Sequence, residues 1–491
     1  MRTPTPTLRR ALALCAIFLL AIAVRSLYAV SLAPTMYSTA QPGTRMAWRY
    51  DDTAVAILAG EGILWPRTPD PARTGLLARP PGYGMFLAAT YSALGRSFFA
   101  AQLVQNLLTS LACVLLVLAG SLLVNWRTGL LAGAIAALSP HLGFTSNLVL
   151  PDALSALPLL GALIVLARAH PDRAARWWWS AMAGGFVGIG VWLRPNVVLL
   201  APFLSVGLLI LSRCRSRALV HGVALTAAAA AVVAPITIRN YVVFHEWVPV
   251  STNGGLTLWQ GVADAGGEAA GAARRDKLVM EEEAVRYGNP RYRAWWAEPD
   301  GIWRDRDRYR RAREVIRANP GRYGRVMVGR MWSMLHYGSG EAPTLSQQMP
   351  GRREGQEEGD TGGRTHDLAR RPSDDLFLAP GRAVAALRPV IGRLQGALAQ
   401  LLLPLVLLGT VALVRADWRR AMLLLSVSLY YLVSESFFIL EWRVVTPMHY
   451  GLFVAAAAAV MLLWDGATRL RPRRAAGQGA AGSSGSSGPL G

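Results

Sequence analysis

The feature that most constrains this chain is a series of apolar stretches, each long enough to cross a bilayer, which takes about 20 residues. They fall near residues 11–32, 98–124, 128–148, 151–168, 177–193, 196–211, 218–238, 395–414, 420–439 and 444–464. Charged residues make up only 16% of the 491, against about 25% in a typical soluble protein. Hydrophobic residues reach 53% and are gathered into these stretches rather than scattered. A soluble globular enzyme, a disordered protein and a coiled coil are thereby excluded. The expected fold class is all-α: a polytopic integral membrane protein with about 10 (9–12) transmembrane helices.

The formal net charge of +21 resembles a nucleic-acid signature, but the distribution argues otherwise. Lys277 is the single lysine among 51 basic residues, a skew that with heavy Ala, Gly and Pro usage reads as coding bias. Much of the arginine lies in short loops between spans, where the positive-inside rule places it. No nucleic-acid partner is expected. Cys15, Cys113 and Cys214 have neither zinc nor disulfide spacing.

The arginines also set the topology. Arg2, Arg9 and Arg10 precede an uncleaved first span. With ten spans, Arg127, the group Arg168, Arg173 and Arg176, the group Arg213, Arg215 and Arg217, and Arg415, Arg419 and Arg420 share the side of the N-terminus. So do Arg469, Arg471, Arg473 and Arg474, which makes that side, and both termini, cytoplasmic. Residues 1–238 form an N-terminal membrane module, 395–465 the C-terminal spans, and 466–491 a cytoplasmic tail ending in a Gly/Ser-rich linker. Two long segments face outward. The first, 33–97, contains PPGYGMFLAATYSALG (80–95), which reads as a juxtamembrane helix. The second, 239–394, reads as a small helical periplasmic module, with 338–375 a mobile loop.

Ionisable residues at span ends collect on this outer face, where their cost makes them functional candidates. They are Asp51 and Asp52 in the first outer loop, Arg79 before Pro80-Pro81, Asp152 at the start of the fourth span, Arg194 in LRPN, and Arg239 in IRNY. Glu435, Glu441 and Arg443 end the ninth span. A carboxylate there can act as general base toward a hydroxyl. Arginines can hold a phosphate through paired hydrogen bonds and stabilise it as a leaving group. These are the ingredients of group transfer from a polyprenyl phosphate, with Arg79, Arg194, Arg239 and Arg443 as phosphate contacts and Tyr83 and Glu441 as substrate contacts.

The segment DDTAVAILAGEG followed by RPPGYGMFLAATYSALG resembles the opening of the membrane glycosyltransferases of the GT-C fold. It is most similar to their protein O-mannosyltransferase and lipid A aminoarabinose transferase branch. SNLVLPDALSALPLLGALIVL is similar to that family's third-to-fourth span junction, and GIGVWLRPNVVLLAPFL, IRNYVVFHEWVPVSTNGGLTLWQG and RYRRAREVIRANPGRY resemble bacterial members. The resemblance implies inverting transfer of a sugar from an undecaprenyl- or dolichyl-phosphate donor at the periplasmic face of the bacterial inner membrane. The acceptor would be a hydroxyl of an envelope lipid, glycan or protein. The family's catalytic base maps to Asp52 or Asp51; Ala59, seven residues after Asp52, favours Asp52, while Ala56 stands where the family often has an aromatic. Asp152 maps to the second acidic position, Arg79 to the basic position before the di-proline, and Glu441-Trp442-Arg443 partly matches a late His/Glu–Arg–Tyr pattern.

The remaining features read as structural. His336 and His449 have no ligand spacing, and no metal site is expected beyond a weakly held Mg²⁺ or Mn²⁺ near a phosphate. Asp152, following Pro151, reads as a helix cap, Glu281-Glu282-Glu283 as a solvated helix face, and STNGG (251–255) as a turn. The rival readings are a lipid-linked-sugar flippase, which needs polar residues through the span interiors, and a non-catalytic envelope assembly protein.

Overall fold

The computed structural model describes residues 6–36, 42–62, 77, 79–169, 176–263, 276–293, 301–336, 344–346 and 382–470. The expected mobile loop 338–375 lies outside the described residues except at 344–346. Among the described residues the chain is helical, with no strand. The helices are α1 (Pro6–Met36), α2 (Pro42–Leu58), α3 (Gly82–Leu94), α4 (Phe98–Leu123), α5 (Trp126–Leu138), α6 (Pro140–Thr145), α7 (Ala156–Arg168) and α8 (Trp177–Leu193). They continue with α9 (Leu200–Leu211), α10 (Arg215–Phe244), α11 (Gly254–Ala263), α12 (Asp276–Arg286), α13 (Gly301–Ala318), α14 (Pro320–Leu335), α15 (Arg382–Ser436) and α16 (Thr446–Leu470).

Among the described residues, five helices are long and apolar enough to cross a membrane: those at Thr7–Ser31, Phe98–Leu123, Arg215–Phe244, Ala386–Ser436 and Thr446–Ala467. The 51-residue stretch is kinked, because Asp417 leaves helical geometry inside α15. The segment 128–148, expected as one span, is broken. Pro140 has no N–H and crowds the preceding turn, so α5 stops at Leu138. Ser139 then starts α6 by accepting the Leu142 N–H at 3.1 Å. The span expected at 151–168 also starts later, at Ala156, because residues 146–155 form a sequence of turns. Asp152 therefore lies inside that turn and does not cap α7.

The main core is assembled from α1, α4, α5, α7–α10, α15 and α16, around residues such as Leu116, Leu159, Val187, Leu225 and Phe453. A second cluster joins α1, α2 and α3 through Tyr28, Tyr50, Tyr83, Leu87 and Tyr91. The glycines of PPGYG permit this approach. A Cβ on Gly82 would sit 2.4 Å from the Trp192 carbonyl oxygen, and one on Gly84 would sit 2.3 Å from Thr53 Cγ2. Leu12, Leu19, Val220, Val223 and Ile238 stay exposed on α1 and α10, as lipid-facing residues must.

The bundle interior is more polar than the sequence suggested. Arg25 is fully buried in α1, where its Nε donates to Thr109 Oγ1 at 3.1 Å and a terminal nitrogen donates to the Ala21 carbonyl at 3.2 Å. Ionisable residues therefore do not all gather at one face.

Helices α11–α14 form a separate apolar cluster around Leu256, Trp259, Val279, Met280 and Tyr323. Beside it Glu283 is buried, not solvated as expected. Arg308 grips both its oxygens at 2.6 and 2.7 Å, and Arg304 Nε donates at 2.9 Å. Burying that carboxylate is tolerable only because charged donors surround it. The STNGG turn opens α11, and the Gly255 N–H donates to Asp305 Oδ1 at 2.8 Å, so this amide serves a protein carboxylate.

Candidate active site

The site is built on α4. On one face of this helix Gln102, Gln105 and Asn106 recur at helical spacing, all buried. The Gln105 amide donates to the Ser146 and Leu148 carbonyls at 2.8 and 2.7 Å, and Gln102 donates to the Asn147 carbonyl at 2.7 Å. Asn106 donates to Asn147 Oδ1 at 2.9 Å, and Asn147 donates in turn to the Arg25 carbonyl at 3.0 Å. Backbone without regular structure at membrane depth must find partners inside the protein, and these amides supply them. Tyr83 extends the scaffold: fully buried, its hydroxyl donates to Gln105 Oε1 at 2.8 Å, and its ring meets Tyr50 edge-on at 5.0 Å.

The turn so held presents Asp152, 1% exposed, to Arg194, which caps the C-terminal end of α8 and forms an ion pair with it. Two residues on, Asn196 donates to Glu435 Oε1 at 2.8 Å, while its carbonyl accepts from the Tyr430 hydroxyl at 2.5 Å. A second turn, 437–445, joins α15 to α16. Here Arg443 donates twice to Glu441 Oε2, at 2.9 and 2.5 Å. The outer helices hold its start: the Ile439 N–H donates to the Thr257 carbonyl at 3.1 Å, and Tyr323 and Arg330 donate to the Phe437 and Ser436 carbonyls at 2.5 and 3.0 Å.

Helix α2 closes the site from the first outer loop. Asp51 is fully buried; the Tyr91 hydroxyl donates to it at 2.9 Å and Arg96 pairs with it through two nitrogens. Asp52, the next residue, is exposed and lies within electrostatic reach of Arg49 and Arg96. Arg79 places its guanidinium 4.8 Å over the Tyr50 ring, a cation–π contact. Burial and the charge of Arg79 push the Arg49 guanidinium down to about 10.

Electrostatics tie these pieces together. Burial pushes Glu441 up, but Arg443, Arg194 and Arg79 together hold it below the usual carboxylate range. Asp276, at the start of α12, accepts from Gln260 Nε2 at 2.5 Å and lies within electrostatic reach of Arg49 and Glu441; burial pushes it up. Guanidinium groups from three separate segments thus lie within electrostatic reach of carboxylates from others. Such a set can bind an oxyanion at the arginines while an exposed carboxylate accepts a proton. No group of three or more His, Cys, Asp or Glu able to hold a metal ion occurs among the described residues.

Of the residues singled out in the sequence, Arg79, Asp152, Arg194, Glu441 and Arg443 come together here, with Asp52 at the rim. Tyr83 lies beneath the site in the scaffold, and Asp51 is occupied by Arg96 and Tyr91. Arg239 is buried in α10, next to Asn240, whose amide donates to the Val248 carbonyl at 2.7 Å. Sequence reasoning missed Arg49, Arg96, Asn196, Asp276 and His141. Arg49 and Asn196 had a signal, since each sits within three residues of a candidate. Asp276 and Arg96 had none, because only the fold brings them close.

Residues 78–238 match the profile of the family described as dolichyl-phosphate-mannose-protein mannosyltransferase. The resemblance drawn from the sequence is borne out over that segment. It contains Arg79, Tyr83, Asp152 and Arg194, whereas Asp51, Asp52, Arg239, Glu441 and Arg443 lie outside it. Among solved structures the chain is similar to the archaeal oligosaccharyltransferase AglB from Archaeoglobus fulgidus, in complex with an inhibitory peptide and a dolichol-phosphate. The two share 12% identity with a TM-score of 0.49, over 93% of this chain and 50% of that one, so this chain spans about half its length. No curated protein matches the chain.

Proposed function

We propose that this chain is a membrane glycosyltransferase that moves one sugar from a polyprenyl-phosphate donor to a hydroxyl of an envelope lipid, glycan or protein. The observation that carries the reading is the pairing of Arg194 with Asp152 and of Arg443 with Glu441, with Arg194 and Arg79 within electrostatic reach of Glu441 and Asp52 exposed on α2. The family matched over residues 78–238 supports the lipid-phosphate donor. The distribution of the loop arginines supports a site on the periplasmic face of the bacterial inner membrane, with both termini in the cytoplasm.

In the proposed step Asp52 takes the proton of the acceptor hydroxyl as its oxygen attacks the anomeric carbon. The bond from that carbon to the phosphate oxygen breaks, and its electron pair leaves with the phosphate. Attack opposite the leaving group inverts the anomeric centre. Arg79, Arg194 and Arg443 stabilise the departing phosphate, with Arg239 a further candidate contact. Asp152 fixes Arg194 and helps orient the reactants. Asp52 is assigned as base over Asp51 because Asp52 is exposed whereas Asp51 is fully buried. Asp152 and Glu441 are each engaged by an arginine.

The test is transfer in liposomes from labelled polyprenyl-phosphate sugars to the host's envelope fraction. Wild type is expected to transfer, and Asp52→Asn to lose about 10²–10⁴-fold, the usual worth of a general base. Asp51→Asn should lose less. The reverse order, with both variants folded, would move the base to Asp51. Unchanged transfer in the double variant would overturn the mechanism.

A further inference from the structure

The turn that carries Glu441 and Arg443 has no regular secondary structure of its own, yet it must hold a guanidinium at the site. Its anchor comes from α6. His141 is buried, 5% exposed, and its Nε2 lies 3.1 Å from Thr446 Oγ1. The Thr446 hydroxyl donates its one proton to the Arg443 carbonyl oxygen at 2.6 Å. It can then only accept from His141, which fixes a proton on Nε2.

A second imidazole completes the anchor. His449 lies against His141 with ring centroids 4.2 Å apart, and its Nδ1 is 3.2 Å from the Val445 carbonyl oxygen. That acceptor places the proton on Nδ1. Trp442 meets His141 edge-on at 5.4 Å and also packs on Phe144 of the same short helix. Trp442 and Thr446 are thus held by α6 and Val445 by His449, while the Arg443 carbonyl accepts from both the hydroxyl and the N–H of Thr446, the latter at 3.2 Å. α6 continues directly into the turn, 146–155, that bears Asp152. One segment therefore sets the position of both charged turns of the site.

We propose that His141 is a positioning residue: through Thr446 it holds the Arg443 backbone, and so the Arg443–Glu441 pair, where the guanidinium meets the phosphate of a lipid-linked donor. His141 touches no substrate itself. The hydrogen-bond relay stands on geometry alone, while the ligand assigned to it rests on the transferase reading.

The experiment uses the full chain in nanodiscs, with undecaprenyl phosphate as the probe. His141→Phe keeps the ring but removes the donor, and Thr446→Val keeps the shape but removes the hydroxyl. His141→Gln and Thr446→Ser restore a donor and a hydroxyl. We expect faster amide exchange at Val444 and Thr446 in the first two variants and about tenfold weaker undecaprenyl phosphate binding, one hydrogen bond's worth. The donor KM should rise more than kcat falls, and Gln and Ser should recover most of the loss. If His141→Phe lowers Tm but leaves both exchange and phosphate affinity at wild-type values, the residue is structural only and the proposal is overturned. If wild type does not bind undecaprenyl phosphate, the transferase reading fails and takes the ligand assignment with it. Faster exchange in His141→Phe would then still uphold the relay.

Discussion

Two regions meet at the site, and they are held by different chemistry. In the bundle, the Asp152 turn hangs on uncharged amides: Gln102, Gln105, Asn106 and Asn147. In the outer helices, Glu283 is gripped by Arg304 and Arg308, with Arg311 at 3.5 Å. Neutral donors satisfy buried carbonyls at membrane depth without placing a charge in a low-dielectric medium. In the α11–α14 cluster ion pairs serve instead, and they bring dependence on pH. The amides that hold the 146–155 turn should therefore be insensitive to pH, and the α11–α14 cluster tunable.

The largest effect expected from this contrast is at Glu283. Glu283→Gln leaves buried guanidinium groups without their carboxylate, a loss of about 3–5 kcal/mol. Hydrogen exchange should accelerate across 276–335 while α4 and α7 keep their protection. Equal loosening of both regions would break the comparison.

Next comes the pH response of the α11–α14 cluster. Burial pushes Asp305 up to about 7, against the combined pull of the Gly255 and Leu256 amides and Arg308. The folded state thus holds this proton more tightly than the unfolded chain. Its contribution to stability is full below the unfolded value and is lost as pH rises through about 7, on the order of 4 kcal/mol in all. Glu283 runs the other way. Burial raises it, but Arg308 and Arg304 hold it low, so its contribution is present at neutral pH and is lost in acid. Asp305→Asn should remove the decline toward neutrality, measured as the pH dependence of exchange in α11 and α13. A decline that survives the substitution would assign it elsewhere.

The smallest effect lies in the bundle. Gln105→Leu strands the Ser146 and Leu148 carbonyls, at about 1–3 kcal/mol. Because that turn carries Asp152, transfer should fall more than stability does, and the loss should not vary with pH. A pH-dependent loss would mean that a charged group shares in holding this turn.

Much of the fold was legible because hydrophobic length and arginine placement are local signals. The all-helical architecture followed from them, as did the α3 helix in the first outer loop. The break of the third expected span has its local signal in Ser139-Pro140. Pairings across long sequence separations were not readable: Asp152 meets Arg194 at 42 residues' distance, and Tyr28 meets Gln395 at 367. Acidic character alone did not tell a buried Glu283 from a solvated one, since that depends on which helix face the neighbouring arginines reach. Arg25 was missed for a related reason: its partners Thr109 and Cys113 lie on another helix.

The central claim is that this site breaks the bond between a sugar and a lipid phosphate. Its most direct measurement is polyprenyl phosphate released from a polyprenyl-phosphate sugar in proteoliposomes on addition of acceptor. Wild type should release one polyprenyl phosphate for each sugar transferred. Asp52→Asn should bind the donor with little change in affinity and release almost none. Release at the wild-type rate from Asp52→Asn, or sugar that crosses the bilayer still attached to its lipid, would contradict the account.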